Sequence, residues 1–157
     1  MRQRWIGLAA LAAVAAVSFA AGSGKTERGG AAPDRTADRV EIQDLQARYL
    51  FALDWQDAEA YAATFTEDGV LDWAGGIVQG RAAIHEEVRG MRATFEKKEK
   101  VDAPVRPARL RHFISNVVVD FDGDRATSRS FWFEFNNDSR DRRPYVGGYG
   151  HYEDDLR

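Results

Sequence analysis

"RLRHFISNVVVDF", residues Arg109–Phe121, is the stretch of sequence that decides the fold. Its β-branched and aromatic residues predict a long strand. The dipeptide Asp122-Gly123 predicts a tight turn after it, and "DRATSRSFWFEFNND" then predicts the second strand of a hairpin. The segment "PYVGGYGHYEDDLR" predicts a third strand. The second half of the chain is therefore predicted to form an antiparallel sheet.

The first of these strands carries an imidazole among apolar side chains. Because side chains alternate along a strand, His112 and Asn116 share a face with Ile114. A histidine on such a strand is more often a hydrogen-bonded core residue than a catalyst. The residue pattern alone leaves both interpretations open.

The first half of the chain predicts helices. Asp38 and Glu41 resemble a capping box, and apolar residues then recur at helical spacing, which predicts a helix over Ala37–Asp54. Asp57 is placed to cap a short second helix, "AEAYAATF". A hairpin formed by "VLDWAG" and "IVQG" precedes a third helix, "RAAIHEEVRGMRATFEKKEK". Helices followed by a run of antiparallel strands predict an α+β fold.

The N-terminus has the organisation of a secretory signal. A basic "MRQRW" precedes the apolar "IGLAALAAVAAVSFA" and a stretch of small residues. We therefore expect a signal peptide over 1–21, a flexible tether over 22–36 and the folded domain over 37–157, exported to the periplasm or secreted. No stable membrane span is expected after cleavage, although an uncleaved N-terminal anchor is the alternative. We also expect the domain to lack its last strand, because the chain stops at what resembles a middle strand.

Composition excludes several classes of protein. Charged residues make up 30% of the 157 residues with both signs mixed, so no nucleic-acid-binding patch is predicted. The absence of cysteine excludes disulfides and thiolate chemistry. The spacing of His, Asp and Glu predicts no metal site, and no cofactor motif occurs.

Five segments together resemble a known family. They are, in chain order, "IQDLQARYLFALD", "FTEDGVLD", "GRAAIHEEV", "RHFISNVVVDFDGDRA" and "GHYEDDL". This set, spanning Asp38–Arg157, is similar to a SnoaL-like domain of the nuclear transport factor 2-like superfamily. The resemblance implies a cone in which a curved antiparallel sheet packs against three helices and encloses an apolar pocket, often in a dimer.

The resemblance also implies a pair of catalytic residues. The chain is most similar to the branch with scytalone dehydratase, bile-acid 7α-dehydratase and hexachlorocyclohexane dehydrochlorinase, in which an aspartate at the end of the first helix pairs with a strand histidine. Asp54 and His112 match these positions. A neutral imidazole with a pKa of about 6.5 can act as a general base, and a buried carboxylate fixes its tautomer. The expected function is a cofactor-independent lyase or isomerase for a small apolar ring compound; the alternative is a non-catalytic ligand-binding or dimerisation module.

Further residues are expected to contact the substrate. Tyr49 matches a tyrosine of the bile-acid dehydratase pattern, with a core role as its alternative. Tyr152 and Asp154 match a family strand that reaches the pocket. Trp132 is expected in the lining, as is Asn116. Glu134 shares a strand face with Trp132 and is a candidate polar contact if Trp132 lines the pocket, although a solvated residue at the sheet edge is the preferred interpretation.

The opposite face of the long strands predicts a homodimer. Apolar residues alternate there on both strands, and a contiguous patch of this size exceeds what monomers usually expose. They are Phe113, Val117, Val119, Phe121, Phe131, Phe133 and Phe135. The alternative cover is the missing strand or the tether.

Overall fold

The computed structural model describes residues 33–102 and 109–157. The predicted signal peptide, most of the predicted tether and residues 103–108 lie outside these ranges. Among the helices in these ranges, none is both long and apolar enough to cross a membrane.

The predicted helices are confirmed as α1 (Thr36–Trp55), α2 (Ala58–Ala63) and α3 (Arg81–Asp102). The predicted capping box does not form: Asp38 is hydrogen-bonded to Arg35, and the side chain of Asp34 accepts from the backbone N–H of Thr36. Asp57 does cap α2, because its Oδ1 accepts from the N–H of Ala60 at 3.0 Å.

The strands form two antiparallel sheets. β1 (Val70–Trp73) pairs with β2 (Gly76–Gln79), and β3 (Leu110–Asp122), β4 (Arg125–Asn136) and β5 (Tyr145–Leu156) form a sheet in that order. This order of helices and antiparallel strands confirms the α+β prediction. The hairpin turn lies at Gly123-Asp124, one residue later than predicted, because Asp122 pairs with Arg125.

β3 contains a bulge that reverses the facing of its side chains. Ser115 pairs with Phe131 and Val118 with Arg129, so β3 has one more residue than β4 between these pairs. Asn116 lies within the bulge with a φ of 56°, a left-handed conformation that asparagine tolerates better than most residues.

The bulge corrects the predicted faces of the strand. Before it, Leu110, His112 and Ile114 point towards the helices; after it, Val119 and Phe121 do so and pack near Ile42 of α1. Strict alternation had placed Val117, Val119 and Phe121 opposite His112. That part of the predicted dimer face was wrong, because one extra residue changes the phase of a two-residue period.

The main core lies between the helices and the concave face of the larger sheet. It is formed by Tyr49, Ala52, Leu53, Tyr61, Phe65, Leu71, Ile84, Val88, Trp132 and Tyr152. The convex face keeps a row of exposed aromatic residues, of which Phe113 and Phe133 stack with ring centroids 5.1 Å apart.

Candidate active site

Asp54 joins the end of α1 to the start of β3. Its carboxylate is 5% exposed and accepts from the backbone N–H of His112 at 2.9 Å. Its Oδ1 also lies 2.7 Å from Nδ1 of the His112 ring. The backbone contact fixes the carboxylate, and the carboxylate in turn assigns a proton to Nδ1 and orients the ring. The structure thus brings together the two residues that the resemblance paired.

The other ring nitrogen also has a carboxylate partner, a pairing that the sequence analysis did not predict. Glu134 lies directly opposite His112 on β4, and its Oε2 is 2.9 Å from Nε2 of His112. Its side chain is 18% exposed, so the preferred interpretation of Glu134 as a solvated edge residue was wrong, and the residue lies where the alternative, a polar contact of the pocket, placed it. The correct hairpin register would have identified it. The predicted register, with the turn one residue earlier and no bulge, places Phe133 rather than Glu134 opposite His112.

The two carboxylates determine the charge of the imidazole. Burial alone would lower the pKa of His112, but hydrogen bonds to Asp54 and Glu134, together with their charges, outweigh it and raise the pKa to about 9. His112 is therefore an imidazolium at neutral pH, with both ring N–H groups donating. The expected neutral base does not match this arrangement.

A cavity of about 260 Å³ lies against this cluster, between the helices and the sheet. His112, Glu134 and Trp132 lie in its wall on the sheet side. Asp54 does not line it but, together with His112, lines a neighbouring cavity of about 480 Å³. The other lining residues are mostly apolar: Tyr49, Leu53, Tyr61, Leu71, Trp73, Ala74, Glu87, Val88, Met91 and Leu110. An apolar wall with one charged cluster suits a small ligand held by shape and a few polar contacts.

Two phenols add hydrogen-bonding capacity to the cavity. The hydroxyl of Tyr61 donates to that of Tyr49 at 2.8 Å, and both rings are buried. Burial raises the pKa of both phenols, so both keep their protons at neutral pH. The predicted location of Tyr49 in the site is consistent with this lining.

Glycines on β5 make room for the two long side chains of β4. A Cβ at Gly150 would lie 2.9 Å from Nε1 of Trp132, and a Cβ at Gly147 would lie 2.7 Å from Oε1 of Glu134. Both distances are shorter than van der Waals contact, so side chains there would displace Trp132 and Glu134. The "VGGYG" sequence of β5 therefore allows β4 to present these groups to the cavity.

The remaining predicted contact residues lie away from the cavity. Tyr152 is buried behind it, with its ring centroid 5.9 Å from that of Tyr49. Asp154 accepts from the Gln46 amide at 3.2 Å and from the Ser128 hydroxyl at 2.7 Å, in a buried cluster between α1 and the sheet. Asn116 is exposed in the bulge, so its predicted place beside His112 was wrong.

Within 33–102 and 109–157, no group of three or more His, Asp or Glu residues is arranged to hold a metal ion.

The comparisons with known proteins establish the family. The family model for the SnoaL-like domain matches residues 34–157, and the chain belongs to that family. No functionally curated protein matches the chain at a significant level. The match of the family model to residues 34–157 confirms the family resemblance drawn from the sequence.

Solved structures share the nuclear transport factor 2-like fold. A Mycobacterium tuberculosis protein of unknown function is 29% identical, covers 76% of this chain and 65% of its own, and has a TM-score of 0.60. A Novosphingobium aromaticivorans protein described as nuclear transport factor 2-like with a cystatin-like fold is 30% identical, covering 74% of this chain and 66% of its own with a TM-score of 0.52. A candidate scytalone dehydratase from the same organism is 24% identical over 77% of this chain and 74% of its own, with a TM-score of 0.59, and shows the fold alone.

Proposed function

We propose that this protein is a cofactor-independent lyase or isomerase that acts on a small apolar ring compound by proton transfer at His112. The observation that carries the proposal is the Asp54–His112 pair: Nδ1 lies 2.7 Å from the carboxylate, and the ring forms part of the cavity wall. A positioned imidazole next to a bound substrate contributes about 10²–10⁴-fold to a proton-transfer step.

The cavity supports elimination or isomerisation more than acyl transfer. Its described lining offers an imidazole, carboxyl groups and phenols as polar groups, and no serine or threonine is among these residues. Covalent acyl transfer commonly uses a serine, threonine or cysteine nucleophile beside a base, and the chain contains no cysteine. The apolar surroundings exclude water and strengthen the electrostatic effect of the charged cluster on a substrate. A ring compound with a carbonyl or hydroxyl group fits both the apolar wall and the phenols.

A second candidate function follows from the same cluster. Both nitrogens of His112 already have carboxylate partners, an arrangement that also occurs as a buried structural ion cluster. The cavity would then bind a small ligand without changing it, and the domain would be a binding or dimerisation module.

Hydrogen exchange on model substrates separates the two functions. Wild-type protein is incubated in D₂O with cyclic ketones and cyclic β-hydroxy ketones, and mass spectrometry follows deuterium next to the carbonyl and loss of water. A lyase or isomerase accelerates at least one of these reactions, and His112→Ala lowers the rate by about 100-fold or more. Asp120→Asn, an exposed change on the same strand, is the control. Ligand binding without any accelerated reaction, or full turnover by His112→Ala, would contradict the proposal.

Assembly and location belong to this proposal as well. We propose a homodimer through the exposed aromatic row of the convex face, defined by Phe113, Phe131, Phe133 and Phe135. We also propose that the protein is exported by its signal peptide, residues 1–21. The alternative is an N-terminal membrane anchor.

A further inference from the structure

Glu134 is the carboxylate of the charged cluster that faces the cavity. Both oxygens of Asp54 accept hydrogen bonds from His112, and Asp54 is absent from the described lining. Glu134 lines the cavity and remains 18% exposed. In this cavity, therefore, Glu134 can contact a bound molecule, whereas Asp54 orients the ring from outside it, where it lines a neighbouring cavity.

We propose that Glu134 is a second catalytic residue, whose carboxylate accepts the substrate proton while the imidazolium of His112 donates one to the substrate oxygen. This assignment rests on the proposed lyase or isomerase function and changes the role of His112 from base to acid. The geometry supports this role for His112, because Oε2 of Glu134 lies 2.9 Å from Nε2 of the ring. When Nε2–H donates to that oxygen, the nitrogen has no free lone pair with which to act as a base.

The charges on the cluster are consistent with these roles. His112 has a raised pKa of about 9, so it holds the proton that an acid needs at neutral pH. A carboxylate next to it is the available acceptor in the cluster, since Asp54 is already hydrogen-bonded twice by His112. The acid and the base are thus different residues, which the pair inferred from sequence did not provide.

The elimination balances with these two groups alone. On a cyclic β-hydroxy ketone, Glu134 accepts the proton from the carbon next to the carbonyl, and the C–H electron pair forms the C=C bond. The C–O bond to the hydroxyl breaks, and His112 supplies the proton with which the hydroxyl leaves as water. Glu134 is then protonated and His112 is neutral.

The direct hydrogen bond restores the starting state. The proton on Glu134 passes to Nε2 of His112 across the 2.9 Å contact, so no proton from outside is required. In an isomerisation the same pair would remove a proton from one carbon and return one to another. The proposal therefore limits the substrate to molecules whose acidic C–H lies near an oxygen that can accept a hydrogen bond.

The first measurement needs no substrate. The pKa of His112 is followed by NMR titration of its ring nitrogens in the full chain, in wild type, Glu134→Gln and Glu59→Gln. Glu59 is the matched control, because it is exposed and its Oε2 lies 3.9 Å from Nε2 of His85. Glu134→Gln is expected to lower the pKa of His112 towards its ordinary value of about 6.5, and Glu59→Gln to leave it unchanged. An unchanged pKa in Glu134→Gln would overturn the assignment whatever the activity.

The second measurement compares the turnover of the wild type with that of Glu134→Gln, Glu134→Asp and Glu87→Gln. Glu134→Gln is expected to lower proton abstraction by about 100-fold or more, and Glu134→Asp to keep part of it. Turnover that survives Glu134→Gln but is lost in Glu87→Gln would overturn the assignment, because Glu87 of α3 also lines the cavity. If His112→Ala removes activity and Glu134→Gln does not, only this inference fails. If the wild type accelerates no reaction, the proposed function fails with it.

Discussion

Asp54 and His112 are connected twice, once through the backbone N–H of His112 and once through its ring Nδ1. The first contact ties the last turn of α1 to the first residues of β3. The second contact sets the charge of the ring. One carboxylate therefore serves both the packing of the domain and the charge of an imidazole that lines the cavity.

Replacing this carboxylate should affect both properties. In Asp54→Asn the amide cannot accept both hydrogen bonds with the same strength, and its charge is gone. We expect the free energy of unfolding to fall by about 2 kcal/mol and the pKa of His112 to move below that of the wild type. Urea denaturation and NMR titration measure the two effects. Asp44→Asn, at an exposed pair with Arg48, is the control and should change stability by less than about 0.5 kcal/mol.

The raised pKa of His112 predicts how stability depends on pH. The folded state holds this proton up to about pH 9, whereas the unfolded chain releases it near its ordinary pKa of about 6.5. The stabilisation is thus fully present below about pH 6.5 and is lost as the pH rises through about 9, by roughly 3 kcal/mol in all. Urea denaturation at a series of pH values measures it. If the free energy of unfolding of His112→Gln still fell between about pH 6.5 and 9, the pH dependence would belong to another group.

The glycines of α3 and β5 predict opposite effects of the same substitution. In Gly150→Ala the new methyl group would meet Trp132, whose ring contacts His112, so we expect a loss of about 1–3 kcal/mol. In Gly90→Ala the methyl group meets nothing within 4 Å on a helix, so we expect a gain of up to about 1 kcal/mol. Thermal or urea unfolding of the two variants tests the pair. If the two variants changed the free energy of unfolding equally, the close approach of Gly150 to the Trp132 ring would not constrain substitution at Gly150.

The aromatic row predicts a dimer that a single charge can separate. In Phe133→Asp a carboxylate would be buried at the centre of an interface expected to cover about 1,200–2,000 Å². We expect size-exclusion chromatography with light scattering to detect a dimer for the wild type and a monomer or aggregate for this variant. Ile77→Asp, an exposed change on β2, should remain dimeric. A wild type that elutes as a stable monomer would contradict the proposed assembly.

Export predicts the N-terminus of the mature protein. Signal peptidase cleavage after small residues should leave a chain that begins near Ala21. N-terminal sequencing of protein from the periplasm or medium tests this. Recovery of chains that begin at Met1 from the soluble cytosol would contradict export, and recovery from membranes would favour the anchor.

The sequence predicted the elements well because their signals are local. Helical spacing located α1 within about one residue of its ends, and the turn-forming glycine located the β3–β4 hairpin. The partner of His112 on α1 came from the family resemblance. Local pattern could not place Glu134, because its position depends on a turn one residue later than expected and on a bulge that strict alternation does not predict.

Asn116, the extra residue of the bulge, determines which side chains of β3 face the helices. The inward-facing residues before it, Leu110 and His112, line the cavity, and those after it pack near the N-terminal half of α1. Deleting that one residue would leave β3 and β4 in regular register, with Val119 and Phe121 still facing Ile42. Drawing Asn116 into a regular strand without deleting it would instead present Val118 and Asp120 to Ile42 and expose Val119 and Phe121. The facing of Val119 and Phe121 therefore depends on the left-handed backbone at Asn116, which keeps the extra residue out of the regular ladder, whereas the facing of His112 does not.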